Sequence, residues 1–184
     1  EGKCELAGFN FPKSSTNNSK AFGTFGHLLT KNNGLIFFAT RLQGLAVAPG
    51  NPKKIYSILD IASRKAKFIN RREGTGTRIL FDQMLDVLAV KPEEIEGYND
   101  ISDTQFFTAV QIASGKVDVG LCTANVAKEN GLDFIPLAKE VYYLAADEKF
   151  LETAKAKKFI QFLRSYDWAE FKDQLEGYDF TGTG

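Results

Sequence analysis

Histidine and cysteine are nearly missing from this chain of 184 residues, which has one histidine, His27, and two cysteines, Cys4 and Cys122. A lone histidine makes a histidine-dependent catalytic or zinc site a poor fit, and two thiols make no disulfide framework. An excess of one charge is missing too. Lysine plus arginine number 23 and aspartate plus glutamate 23, so the basic footprint needed to hold a phosphate backbone is absent and this segment is not expected to bind nucleic acid directly. No stretch approaches the roughly 18 to 20 apolar residues of a membrane helix, and Glu1-Gly2-Lys3-Cys4 has neither a basic start nor an apolar run after it. A chain that opens on Glu1 rather than Met is expected to be processed or excised from a longer protein, which leaves the compartment open.

What the chain does have is core material: 43% hydrophobic residues, 16 of them phenylalanine, against 25% charged. That balance fits one globular domain or two small lobes, and excludes disorder and fibrous repeats. Short apolar runs alternate with amphipathic stretches, which predicts an α/β fold with mainly parallel sheets and helices on both faces. Strands are expected at Glu5 to Phe9, Leu35 to Thr40, Leu45 to Ala48, Lys67 to Asn70, Val117 to Leu121, Asp133 to Pro136 and Val141 to Ala145. The polar stretch between Phe11 and Gly34 reads as a long loop.

Helical spacing of Ile79, Leu80, Met84, Leu85 and Leu88 predicts a helix from Thr77, stopped at Lys91-Pro92. Asp103 is expected to cap a second helix with Phe106, Phe107, Val110 and Ile112 on its buried side, closed by Ser114-Gly115. A third is expected over Ala154 to Ser165, with Phe159, Ile160 and Leu163 inward. A last one is built around Trp168, Phe171 and Leu175.

Chemistry concentrates in Phe68-Ile69-Asn70-Arg71-Arg72-Glu73-Gly74-Thr75-Gly76-Thr77-Arg78. An apolar strand there meets a glycine-spaced hydroxyl pair at the start of a helix. Unpaired amides and the helix dipole favour an anion, and glycines let backbone approach it. Thr75 and Thr77 can donate, and Arg71, Arg72 and Arg78 add positive charge. The competing explanation is a plain strand-to-helix turn in which Thr75 only caps the helix. The spacing is neither a phosphate-binding GxxxxGK[ST] loop nor a GxGxxG fingerprint, since the third position falls on Ile79.

The same stretch resembles the anion-binding segment of type II periplasmic-binding-protein-like domains, most closely the periplasmic molybdate-binding-like family. The likeness continues through Gln43 to Pro52, Ala109 to Leu121, Gly131 to Leu137, Glu140, Tyr142 and Gly177-Tyr178-Asp179, and so covers roughly residues 40 to 184; Leu6-Ala7-Gly8 belongs with it. It implies a two-lobed receptor that closes by a hinge motion on an oxyanion. One lobe would be residues 1–44 with 142–184, and the other 45–141 with the anion loop. Arg71, Thr75, Gly76, Thr77, Arg78, Thr104, Tyr142 and Asn10 are the implied ligand-binding residues. Two departures stand out. The family's first strand and helix are not evident, and Asn10 and Gln105 occupy positions where relatives often carry histidine, so neither can supply a positive charge.

The implied function is noncatalytic binding of molybdate or tungstate, in a transport receptor working with a membrane transporter or in a sensing domain of a fused regulator, with no cofactor or metal. Receptors of that kind are periplasmic or otherwise extracytoplasmic, whereas a fused regulator would be cytoplasmic. Phosphate and sulfate compete, because phosphate receptors share an Arg-x-Asp-x-Ser-Gly-Thr segment that falls on Arg71, Glu73, Thr75, Gly76 and Thr77. An inward Glu73 would favour protonated phosphate and an outward one molybdate or tungstate. An enzyme on the same scaffold is the remaining alternative, though no acid and base pair suggests itself. Tyr142 and Thr104 have plainer readings as a half-buried strand aromatic and a helix cap. Asp118 reads as a polar turn, and Lys155, Lys157 and Lys158 as a wet helix face.

Overall fold

The computed structural model describes residues 4–12, 33–172 and 174–184. His27 and nearly all of the polar stretch expected as a loop lie outside the described residues. In chain order the elements are β1 (Leu6–Pro12), β2 (Asn33–Val47), α1 (Ile58–Ser63), β3 (Phe68–Arg71), α2 (Gly76–Leu88), β4 (Ile101–Ser102), α3 (Gln105–Ala113), β5 (Val119–Thr123), α4 (Ala124–Glu129), β6 (Asp133–Asp147), α5 (Glu148–Leu151), α6 (Ala154–Ser165), α7 (Ala169–Lys172) and β7 (Tyr178–Asp179). Two compact units result, Glu1–Arg41 with Lys139–Gly184 as unit 1 and Leu42–Ala138 as unit 2. The chain passes between them inside β2 and β6. Each of these strands is continuous over 15 residues, where the sequence predicts two short strands.

Unit 2 follows from alternation. Along β2 and β5, Leu45, Val47, Val119 and Leu121 turn to one side with Phe68 of β3, where Ile58 and Ile61 of α1 and Phe81 and Leu85 of α2 cover them. Ala46, Ile69 and Cys122 turn to the other side and meet Ala109 and Ile112 of α3 and Ala127 of α4. A period of two in the strands therefore gives helices on both faces. Fully burying a leucine or phenylalanine contributes roughly 1.5 to 3 kcal/mol, so these two layers hold the unit together. Close approach is part of the packing, since a Cβ on Gly44 would come within 2.1 Å of the Ile135 carbonyl oxygen.

The sheets are mixed, where the alternating rhythm predicts mainly parallel ones. Parallel pairing joins β3 to β4 and to β5, while the second half of β2 lies antiparallel to β5 in the register Gln43↔Thr123 to Val47↔Val119. The antiparallel part comes from the crossing strand, which continuous apolar patterning cannot orient.

In unit 1, β1 pairs antiparallel with residues 140–146 of β6, and β7 pairs with Thr40 and Arg41. Aromatics replace aliphatics as filler. Phe38 meets Tyr142, Trp168 and Phe180 edge-on, and Trp168 stacks on Phe180 with centroids 4.9 Å apart. The last helix is short: α7 covers only Ala169–Lys172 of the stretch expected around Trp168 to Leu175.

Candidate functional site

Because β3, β4 and β5 run parallel, their carboxyl ends share one edge of unit 2, and α2, α3 and α4 each start there. In open α/β sheets this edge is where ligands sit. Three threonines stand at the N-cap positions: Thr75, Thr104 and Thr123. Gly74, at φ +80°, supplies the left-handed turn that aims α2.

The capping explanation holds for Thr75. Its Oγ1 accepts the Arg78 N–H at 3.3 Å and donates to the Arg72 carbonyl at 2.8 Å, so its proton stays with its own turn. Beyond that bond, the first turn of α2 retains the Gly76 and Thr77 amides, the donors that a helix start leaves without an intrahelical acceptor. Thr104, not Asp103, caps α3, with its Oγ1 accepting the Phe107 N–H at 3.0 Å. Of the expected buried side Ile112 is buried, together with Thr108 and Ala109, while Phe106, Phe107 and Val110 are exposed, because at helical spacing positions 106, 107 and 110 lie on the side opposite 108, 109 and 112.

Thr77 is the hub. It is buried, and its Oγ1 accepts N–H from Gln43 at 3.0 Å and from Gln105 at 3.2 Å. Both of its lone pairs are then engaged, and its own O–H remains to donate. Gln105 is fixed in turn, because its Oε1 accepts both the main-chain N–H and the hydroxyl of Thr123 at 3.0 Å each. The network draws in Gln43 and Thr123, which no motif marks. The available signal for Gln43 is a single amide side chain at the head of the apolar run Leu45-Ala46-Val47, placed opposite Thr123 by strand register.

The arginines divide. Arg71 is buried at the end of β3, with Nε donating to the Ser102 carbonyl at 3.1 Å and an Nη to the Asp103 carbonyl at 2.9 Å. Arg78 is committed elsewhere. Its Nε donates to both Asp82 oxygens at 2.9 and 3.0 Å, and the guanidinium lies 4.4 Å from the Tyr98 ring centre. Burial lowers its pKa, but bonding to Tyr98 and Asp82 outweighs this and leaves it above the ordinary value. Arg72 pairs with Asp103 at the surface, and Glu73 is exposed. Asp118 accepts the Lys67 N–H at 2.7 Å and pairs with Lys53, holding a turn.

Asn10 and Tyr142 belong to unit 1 and serve a different cluster. Glu140 is fully buried. Its Oε2 accepts from Arg41 Nε at 2.9 Å and from Asn10 Nδ2 at 3.3 Å. Arg41 also donates to the Tyr178 hydroxyl at 3.4 Å and lies 5.9 Å from the Tyr142 ring centre. Burial lowers the Arg41 pKa, while the Glu140 carboxylate and Tyr178 raise it by more.

Over its full length the chain is 33% identical to the Bacillus subtilis protein YvgK, of which it spans 59%. Among solved structures, a Clostridium perfringens protein with bound phosphate, assigned to phosphate ABC transport, superposes with a TM-score of 0.61 at 17% identity, covering 92% of this chain and 75% of that one. A histidine kinase sensor domain similar to periplasmic binding proteins gives 0.58 at 11% identity, covering 96% and 72%. At such identities these two likenesses speak for the fold alone. Residues 1–164 match the PBP superfamily domain, and the chain belongs to that family of periplasmic-binding-protein-like domains.

Proposed function

We propose that the protein binds a small tetrahedral oxyanion at the carboxyl-end edge of unit 2, without catalysing a reaction. The observation that carries this reading is the conjunction at Thr77. There, helix-start amides and a hydroxyl proton are held by the amide side chains of Gln43 and Gln105, and the buried Arg71 ends β3 on the same strand edge, bonded to the Ser102 and Asp103 carbonyls. A dipole contributes roughly 0.3 to 1 kcal/mol and a charge-assisted bond about 1.5 to 3, so convergence of several donors is what gives useful affinity. Glu73 is exposed rather than enclosed at the proposed site, which supports molybdate and tungstate; the phosphate bound by the Clostridium perfringens protein supports phosphate.

In a receptor the anion would be passed to a membrane transporter, and in a sensor it would bias an attached regulatory domain. Calorimetric titration with molybdate, tungstate, phosphate and sulfate tests the reading. At 100 times its dissociation constant a true ligand stabilises the fold by about 2.7 kcal/mol, seen as a rise in melting temperature. Silence toward all four anions rejects it.

A further inference from the structure

One atom of the Thr77 network stands out. Gln43 is fully buried and its Nε2 donates to Thr77, yet among the described residues nothing donates to its Oε1. Buried acceptors are nearly always paired; Gln83 Nε2, Asn125 Oδ1 and Glu140 Oε1 are unpaired as well, but Gln43 Oε1 belongs to the Thr77 network, so its unmade bond, beside the proposed site, points to what the ligand brings. Main-chain amides and the Thr77 hydroxyl are donors. They favour any anion and do not choose among tetrahedral ones. An acceptor does choose. A ligand oxygen without hydrogen meets the Gln43 carbonyl lone pair against lone pair, whereas an oxygen that keeps its proton makes the missing bond. Sulfate, molybdate and tungstate carry no proton at neutral pH, and hydrogen phosphate does.

We infer, resting on the oxyanion reading above, that the ligand is a protonated oxyanion of the hydrogen phosphate class. Its O–H is given to Gln43 Oε1, and its other oxygens are received by the first turn of α2. Gln43 is then the residue that sets specificity.

The test is calorimetric titration of the full chain at neutral pH with phosphate, sulfate, molybdate and tungstate. Phosphate is expected to bind at least about tenfold tighter than each of the others, the scale of one buried hydrogen bond made or left unmade. Gln43→Met keeps the volume, removes the acceptor, and is expected to bring the phosphate-to-sulfate ratio to within about threefold of one. Sulfate, molybdate or tungstate binding as tightly as phosphate overturns the inference and leaves the oxyanion reading standing; it is the result a reversed Gln43 amide, with N–H in place of the acceptor, would give. No heat with any anion removes both. The comparison among anions needs no variant, so it decides the matter even where Gln43→Met fails to fold.

Discussion

Each unit buries polar groups, and it does so in opposite ways. Unit 1 encloses opposite charges, Arg41 against Glu140 with Asn10 and Tyr178 alongside, and every bond to Glu140 falls on Oε2, so that Oε1 has no partner among the described residues. Unit 2 encloses neutral groups, Gln43, Thr77, Gln105 and Thr123, chained so that a hydroxyl proton and an amide oxygen are left over. A paired charge cluster answers to its own members, and breaking it harms the fold. A neutral network has no such attraction to lose, so on the oxyanion reading proposed above its disruption is expected to lower anion affinity as well as stability. Asn10 and Tyr142, which the resemblance implies as ligand residues, sit with the Arg41–Glu140 pair, whereas Thr77 and Gln105 sit in the neutral network.

The largest effect is expected from Glu140→Leu. Glu140 is fully enclosed and the Arg41 side chain is only 12% exposed, so removing the carboxylate strands a charge and should cost about 3 to 5 kcal/mol in urea unfolding. Replacing both residues, Arg41→Met with Glu140→Leu, should recover most of that loss. The Arg41 pKa lies above its ordinary value, so its contribution is complete below that value and fades only in strong alkali. The loss should therefore be flat across neutral pH. A loss under 1 kcal/mol would make unit 1's pair no different from a surface one.

Thr77→Val sharpens the other half of the comparison. The shape is kept while two amide N–H groups lose their acceptor and the site loses a hydroxyl, so a cost of roughly 1 to 3 kcal/mol is expected. Anion affinity should fall by tenfold or more, whereas Glu140→Leu and its double variant, once folded, should leave affinity within about threefold. Equal losses of affinity from both would erase the distinction.

How far the sequence foretold this differs by level. Helix α2 and the loop before it are legible because local rules fix them: apolar residues at helical spacing, a threonine cap and a glycine at positive φ. The buried face of α3 is not, since the helix carries apolar residues on two sides, Phe106, Phe107 and Val110 against Ala109 and Ile112, and helical spacing alone cannot choose between them. Continuous strands β2 and β6 read as two pieces each because Arg41, Gln43, Lys139 and Glu140 interrupt the apolar runs. Those interruptions are the polar clusters themselves. Gln43 and Glu140 find partners far along the chain, at Thr77 and Arg41, and such pairing belongs to topology rather than to local pattern.

The smallest perturbation uses the two cysteines as probes, one in each unit. Cys4 is exposed, while Cys122 is buried in β5 next to Thr123, and burial pushes its thiol pKa up to about 12 despite the Ala127 amide and Arg71 pulling it down. At pH 8 Cys122 is therefore a protonated thiol out of reagent's reach, and a thiol-reactive label should take Cys4 within minutes and Cys122 only when unit 2 opens. Ligand that binds only the closed form reduces that opening by the factor 1 + [L]/Kd. An anion at 100 times its dissociation constant should thus slow Cys122 labelling about a hundredfold and leave Cys4 unchanged. Neither label alters the Thr77 network beforehand, so the measurement reports the native site. Slowing at both cysteines would place the anion's effect on the whole chain, and slowing at neither would detach it from unit 2.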